Sequence, residues 1–289
     1  MTMTGTRTVS ETLYDGYAQQ FGATAVVAEE KTAFQDLLIF DSVMHGRVLV
    51  LDGIIQLTEL DEFTYSEMLA QPAIFALDGI EHAMIVGGGD GAVAEEILKH
   101  SGVKSVDLVD IDGRVIELSK QHLPKVHNGV FDDPRLNVHA VDAFDFLAAP
   151  EAKGRYDLII ADRPDPVGPA EILFGETFYG RLKDAMTDRG VAVFQTGVPI
   201  YQPQEFTDTL TLLGGLFPNI GTYLTVTPTY IGGQMALTWA SKATDLEAAA
   251  GVEDLSRRFA DAKVRTKYYS PSVHMAAFAL PPFMEDLIP

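Results

Sequence analysis

Two hydrophobic rhythms divide the chain. From Thr32 to Glu67, short β-type runs are broken by turn residues: FQDLLIF, GRVLVLDG and IIQLTE. They predict a small antiparallel β-region ahead of the main domain. From Glu81 onward, apolar runs alternate with helix-like segments: HAMIVGG, AVAEEILKHS, SVDLVDI, RVIELSKQHL, LNVHAV, RYDLIIAD, FYGRLKDAMTDRG and VAVFQT. Strand and helix repeated in this way imply right-handed crossovers and a parallel sheet covered on both faces. After Gly221, TYLTVTPTY and GQMALTWAS read as two strands joined by a turn at Gly232 and Gly233, a hairpin finish to that sheet. DLEAAAGVEDLSRRFADA reads as helical, and YYSPSVHMAAFALPPF closes the chain. The division expected is a β-domain over residues 1–70 and an α/β catalytic domain over 71–289.

The 289 residues suffice for a large core, and 47% hydrophobic content at ordinary charge density is that of a folded protein. No run of about 18 apolar residues offers a membrane span. The start, MTMTGTRTVSETL, lacks the apolar core of a secretory signal, so a cytoplasmic location is expected. With no cysteine there is no disulfide, thiolate nucleophile or cysteine-bound zinc, and the histidines show no ligand spacing. A formal charge of −20 repels nucleic acid and anionic membranes and attracts cations. A small basic substrate therefore suits the chain better than a polyanion, although acidity also serves solubility alone.

Ligands of parallel sheets bind beyond the carboxyl ends of the strands, near the switch in strand order. The first such strand ends in GGGDGA, Gly87 to Ala92, where Gly87 and Gly89 let the backbone pass close under a ligand. The next ends in VDID and puts Asp110 where an acid accepts hydrogen bonds from both ribose hydroxyls. That pattern fits NAD and S-adenosyl compounds equally. Asp90, inside the loop, would repel a pyrophosphate but attract a sulfonium or an amine. Asp142, at the end of the third strand beside Ala143, is placed to accept from an adenine amino group. A nucleoside with a cationic tail fits better than a dinucleotide. The fourth strand runs into Asp162, Arg163, Pro164 and Asp165, a stiff loop that holds Asp162 near the reactive end and Asp165 further out.

Taken together, FQDLLIF, GRVLVLDGIIQLTELDEFTYSEM, GGGDGAVAEEILKH, VDID, FDDPRLNVHAVDAFDFL, DPVGPAEILF, TPTYIGGQ and KYYSPSVHMAAFALPPF resemble the spermidine synthase (polyamine aminopropyltransferase) family, in order and from Glu11 onward. The resemblance implies a class I methyltransferase-like Rossmann domain, a mostly parallel sheet, behind a small N-terminal antiparallel β-domain. It implies a homodimer or homotetramer acting on a small-molecule amine. Gln35, Asp90, Asp110 and Asp142 would bind decarboxylated S-adenosylmethionine as co-substrate, Asp90 taking the tail amine. Asp162 would be the general base and Asp165 the anchor of the diamine's far ammonium. Gln56, Tyr65 and Tyr230 would shape the amine site, and no metal would be required. The chain departs from the family at Arg163 and Pro164, at Ser66 where a His or Gln is usual, at Glu95 where an arginine is usual, and at Ser10 in place of an aromatic residue.

Arg163 has two readings. Pointing outward, it pairs with a nearby acid and leaves the pocket anionic. Pointing inward, it neutralises an aspartate and offers a planar fork to a carboxylate. The second reading opens an S-adenosylmethionine-dependent N-methyl- or aminocarboxypropyltransferase with an altered acceptor. A non-catalytic polyamine- or nucleoside-binding protein is a third possibility, against which Asp162, Asp165 and Tyr230 together speak.

Overall fold

The computed structural model describes residues 7–77, 79–163 and 173–289. The first sheet comprises β1 (Arg7–Tyr14), β2 (Tyr17–Lys31), β3 (Asp36–Ser42), β4 (Gly46–Leu51) and β5 (Ile54–Thr58). It is antiparallel in sequence order. It begins 25 residues before the expected Thr32, counting from Arg7. The reason is that β1 and β2 form an edge hairpin largely open to water, so apolar alternation is weak there. In β1 the inward positions are Val9 and the carboxylate Glu11, which breaks the apolar rhythm.

Helix α1 (Phe63–Ala76) follows and had no counterpart in the sequence reading. From Thr64 to Ala76 every residue is buried, so no polar face marks a helical period. The expected boundary at 70/71 falls inside this helix, which packs on the second sheet and on the helix after the glycine loop.

The second sheet is built from β6 (His82–Gly87), α2 (Ala92–Leu98), β7 (Ser105–Asp110), α3 (Gly113–His122), the short α4 (Pro124–His127), β8 (Leu136–Ala140), α5 (Ala143–Ala148), β9 (Tyr156–Asp162), α6 (Glu176–Ala185), β10 (Met186–Gln195), α7 (Pro203–Leu216), β11 (Asn219–Val226) and β12 (Gln234–Ser241). Helices α8 (Val252–Ala262), α9 (Pro271–Ala277) and α10 (Pro282–Glu285) end the chain. The strand order is β11-β12-β10-β9-β6-β7-β8, parallel from β10 to β8 and closed by the expected antiparallel hairpin. The helix read through MTDRG stops at Ala185, and Met186 already pairs with β9 across a bulge.

Order reverses between β6 and β9, so the crevice of the fold opens there. On one face α1, α2, α8 and α9 cover Ile85, Leu158 and Trp239; on the other, α5, α6 and α7 cover Met84, Ile159 and Phe194. Leu37, Ile39, Leu49 and Leu57 of the first sheet pack against Ala92, Val115 and Leu118. That contact seats the β-domain at the rim of the crevice. Among the described residues, no helix is long and apolar enough to cross a membrane.

Candidate active site

Gly87 and Asp162 are paired residues at the ends of β6 and β9, which puts the glycine loop and the candidate base side by side. The approach is too close for a side chain. A Cβ on Gly87, at φ +80°, would come 2.0 Å from the Asp162 carbonyl oxygen. One on Gly89 would come 2.7 Å from Asp110 Oδ2. A Cβ on Gly88 would come 3.2 Å from Asp162 Oδ2, so Gly88 and Gly89 let two strand-end carboxylates lie directly against the loop.

The loop in turn engages those acids. Gly89 N–H donates to Asp110 Oδ2 at 3.1 Å, and Asp112 N–H to Asp110 Oδ1 at 2.8 Å. Within the loop, Ala92 N–H donates to Asp90 Oδ1 at 2.8 Å. Asp142 caps α5 by accepting from Phe144 N–H at 2.8 Å, with Ala143 as the first helical residue. Gln35 reaches the same rim from the β-domain, but its amide donates to Asp112 Oδ2 at 2.9 Å, alongside Thr32 Oγ1 at 2.7 Å.

Tyr65, on α1, donates its O–H to Asp162 Oδ1 at 2.7 Å. Tyr230 meets Tyr65 edge-on, with ring centroids 5.5 Å apart, and donates to the Gln56 carbonyl at 2.6 Å. Gln56 therefore meets Tyr230 through its backbone, while its side-chain amide donates to Ile54 O at 3.2 Å. Asp165 lies outside the described residues, as does Pro164.

Burial and like charge dominate the electrostatics. Burial first, then repulsion from Asp90, pushes the Asp162 carboxyl up to about 7, against the lowering effect of the Tyr65 hydrogen bond. Burial pushes Asp110 up to about 6 and raises Asp90 as well. Tyr65 and Tyr230 stay protonated, held well above the usual phenol range by burial and then by Asp162. Among the described residues no ion pair is made by these three crowded acids, an arrangement that suits a positive ligand.

Arg163 follows neither of its two readings. It is 2% exposed, and its guanidinium donates to Tyr179 Oη at 2.9 Å and to the Leu173 carbonyl. It stacks 3.5 Å from the Phe174 ring centroid, with Tyr179 and Phe194 beyond. It forms no ion pair among the described residues and turns toward α6, away from the Asp162 carboxylate. Phe174 at the end of the loop, with Tyr179 of α6 and Phe194 of β10, gives it a π-lined slot, which the start of the loop by itself could not reveal.

Sequence reasoning also missed a buried polar set behind Tyr230. Asp61 accepts from Thr229 N–H at 2.9 Å and from Thr58 Oγ1 at 2.6 Å. Gln19 donates to Thr229 O at 2.7 Å, and Glu11 accepts from Ile55 N–H at 2.9 Å. The signal available was Glu11 at an inward-facing strand position. Ser10, beside it, faces outward and accepts from exposed Gln20 at 3.3 Å.

A mostly parallel sheet with its glycine loop and acid-tipped strands at the switch point defines a class I methyltransferase-like α/β protein. Within that class, the chain belongs to the spermine/spermidine synthase family: the spermine/spermidine synthase domain matches residues 62–249, and the spermidine synthase tetramerisation domain matches residues 7–59. It is 42% identical over 280 residues to a polyamine aminopropyltransferase of Ruegeria sp. (strain TM1040), covering 97% of this chain and 98% of that one. It is also 42% identical over 278 residues to polyamine aminopropyltransferase 1 of Pseudomonas aeruginosa, covering 96% of each. A crystal structure of spermidine synthase in complex with the transition-state analogue AdoDATO superposes with a TM-score of 0.90 at 33% identity, over 98% of this chain and 95% of that one.

Proposed function

We propose that the protein transfers the aminopropyl group of decarboxylated S-adenosylmethionine to putrescine or a similar diamine, giving spermidine or an analogue and methylthioadenosine. The observation that carries this reading is the Tyr65 hydroxyl on Asp162, 2.7 Å away, with Asp110 held against the same glycine loop that contains Asp90. An ammonium has no lone pair, so a proton must leave before the amine attacks. A carboxylate raised to about 7 is a stronger base than an ordinary one. Asp162 takes that proton. The nitrogen lone pair then forms the new C–N bond to the methylene beside the sulfonium, and the C–S electrons return to sulfur. The positive charge on sulfur disappears as neutral methylthioadenosine leaves.

In this assignment Asp110 takes the ribose hydroxyls and Asp142 the adenine amine. Gln35 closes the rim through Asp112, and Asp90 takes the tail ammonium. Ile111 and Val141, 42% and 46% exposed at the ends of β7 and β8, offer apolar cover to a base. Tyr65, Tyr230 and the Gln56 backbone wall the amine site, with Asp165 as the proposed far anchor. A homo-oligomer assembled through the N-terminal sheet belongs to the same proposal, supported by the tetramerisation-domain match. So does a cytoplasmic location, which suits a chain with no cysteine to cross-link. The case for an intact S-adenosylmethionine donor rested on an inward Arg163, and that residue faces α6.

The test is to incubate the purified protein with putrescine and either donor and to identify the nucleoside released. Methylthioadenosine from the decarboxylated donor is the expected product. S-adenosylhomocysteine from the intact donor would contradict the proposal, as would no turnover with any amine.

A further inference from the structure

The two tyrosines of the amine wall come from distant parts of the chain, Tyr65 on α1 and Tyr230 in the turn between β11 and β12, and Asp61 touches the neighbour of each. Its carboxylate grips Thr229: Oδ2 accepts from Thr229 N–H at 2.9 Å, and the Thr229 hydroxyl lies 2.9 and 2.8 Å from the two oxygens. Thr58 Oγ1, at the end of β5, donates to Oδ1 at 2.6 Å and fixes the carboxylate from the other side. The Asp61 main-chain carbonyl accepts from Thr64 N–H at 3.0 Å and from Thr64 Oγ1 at 2.8 Å, at the start of α1. Gln19 of β2 donates to the Thr229 carbonyl at 2.7 Å, so Thr229 is held at its N–H, its hydroxyl and its carbonyl together. Asp61 and Thr229 are 4% and 5% exposed, so none of these bonds can be exchanged for water without opening the cluster. A buried carboxylate served by uncharged donors alone is costly to keep, and three of the bonds it accepts come from the one residue that precedes Tyr230.

Resting on the functional reading above, we infer that Asp61 is a positioning residue for the acceptor amine, acting through Thr229 on Tyr230. Within its turn, Tyr230 N–H donates to Thr227 O and Gly233 N–H to Tyr230 O, both at 3.0 Å. Those bonds set the shape of the turn, and the bonds of Thr229 to Asp61 and Gln19 set its place against α1 and the β-domain. The Tyr230 ring is thereby tied at both ends, by the Thr229 clamp and by its hydroxyl on the Gln56 carbonyl at 2.6 Å, and it meets Tyr65 edge-on. A diamine is a flexible chain, and a wall that yields leaves more of its ordering cost to be met on binding. The Asp61 contact with α1 runs through the backbone, so a change of its side chain moves Tyr230 and leaves the Tyr65 bond to Asp162 in place. No bond of the clamp reaches the glycine loop, Asp110 or Asp142, so the nucleoside half of the site is independent of it.

Initial rates of the intact protein with putrescine and decarboxylated S-adenosylmethionine test this, with methylthioadenosine binding measured by calorimetry on the same preparations. Asp61→Asn puts an amide among donors, and Thr229→Val removes the hydroxyl at nearly constant size. Each is expected to raise the putrescine KM about tenfold, with a smaller fall in kcat and methylthioadenosine affinity within about twofold of wild type. The acidic limb of the kcat/KM–pH profile should stay where it is, because the Tyr65 bond to Asp162 is untouched. Thr229→Ser, which restores the hydroxyl, should bring the putrescine KM back to within about twofold of wild type. In a Tyr230→Ala background Thr229→Val should add nothing further, because the residue through which it acts is gone. Equal weakening of putrescine and methylthioadenosine would mark a structural role and overturn the inference, as would additive effects in the double variant or an unchanged putrescine KM. Should Asp61→Asn fail to fold, the Thr229 series decides alone. A wild type that binds methylthioadenosine but transfers no aminopropyl group to any diamine would instead overturn the functional reading on which the inference depends.

Discussion

Replacing Arg163 by serine separates the slot seen in the structure from the two roles its sequence position offered. The variant loses a charge-assisted bond to Tyr179 Oη at 2.9 Å, one to the Leu173 carbonyl, and the stack on Phe174 at 3.5 Å. Such bonds are worth about 1.5–3 kcal/mol each, and a desolvated cation–π contact up to about 2 kcal/mol. Against this stands the cost of holding a fully buried guanidinium out of water, which also drives its pKa down. A net destabilisation of about 3 kcal/mol is expected, or a fall in Tm of roughly 6–10 °C for a chain of this size. Thermal melting by circular dichroism reads the first quantity, and initial rates with putrescine below the transition read the second. Turnover should not improve, because the guanidinium does not face the Asp162 carboxylate. A Tm within about 2 °C of wild type together with faster diamine turnover would refute the reasoning and return Arg163 to the amine pocket.

Other outcomes follow from the same geometry. Tyr65→Phe removes a hydrogen bond that lowers the Asp162 carboxyl, so the acidic limb of the kcat/KM–pH profile should move to higher pH and kcat should fall about tenfold; an unmoved limb would show that the bond does not tune the base. Gly89→Ala sets a methyl 2.7 Å from Asp110 Oδ2 and should weaken methylthioadenosine at least about tenfold in equilibrium binding; wild-type affinity would mean that the loop lies elsewhere. Stability of the ligand-free protein should fall between pH 6.5 and pH 8.5. Asp162 and Glu96 have folded pKa values raised to about 7 and about 8, so their contribution is full below the unfolded value and is lost as pH rises through the folded one. His100 and His274 are lowered to about 4, so their contribution is lost below the unfolded value near 6.5, outside this window. A Tm that rises across the window would contradict this balance.

The parallel sheet was legible because strands buried on both faces read as unbroken apolar runs, as in the four buried residues of β6 and the six of β9. Its glycine loop and strand-end acids were legible because the fold allows few places for them. Helix α1 was not, since near-total burial erases its period, and neither was the β1–β2 hairpin, whose inward Glu11 and open faces hide the alternation. Contacts between distant segments were the other blind spot. Tyr65 and Asp162 are 97 residues apart, and Arg163 finds its slot between the far end of its own loop, at Leu173 and Phe174, and Tyr179 and Phe194 of α6 and β10.

The most direct test of the account is an Asp162→Asn variant assayed for methylthioadenosine release from decarboxylated S-adenosylmethionine and putrescine, with donor binding measured on the same preparation. The isosteric amide keeps the Tyr65 contact but cannot take a proton. The account predicts that kcat falls by about 10²–10⁴ while the donor still binds. Wild-type turnover by Asp162→Asn would contradict it.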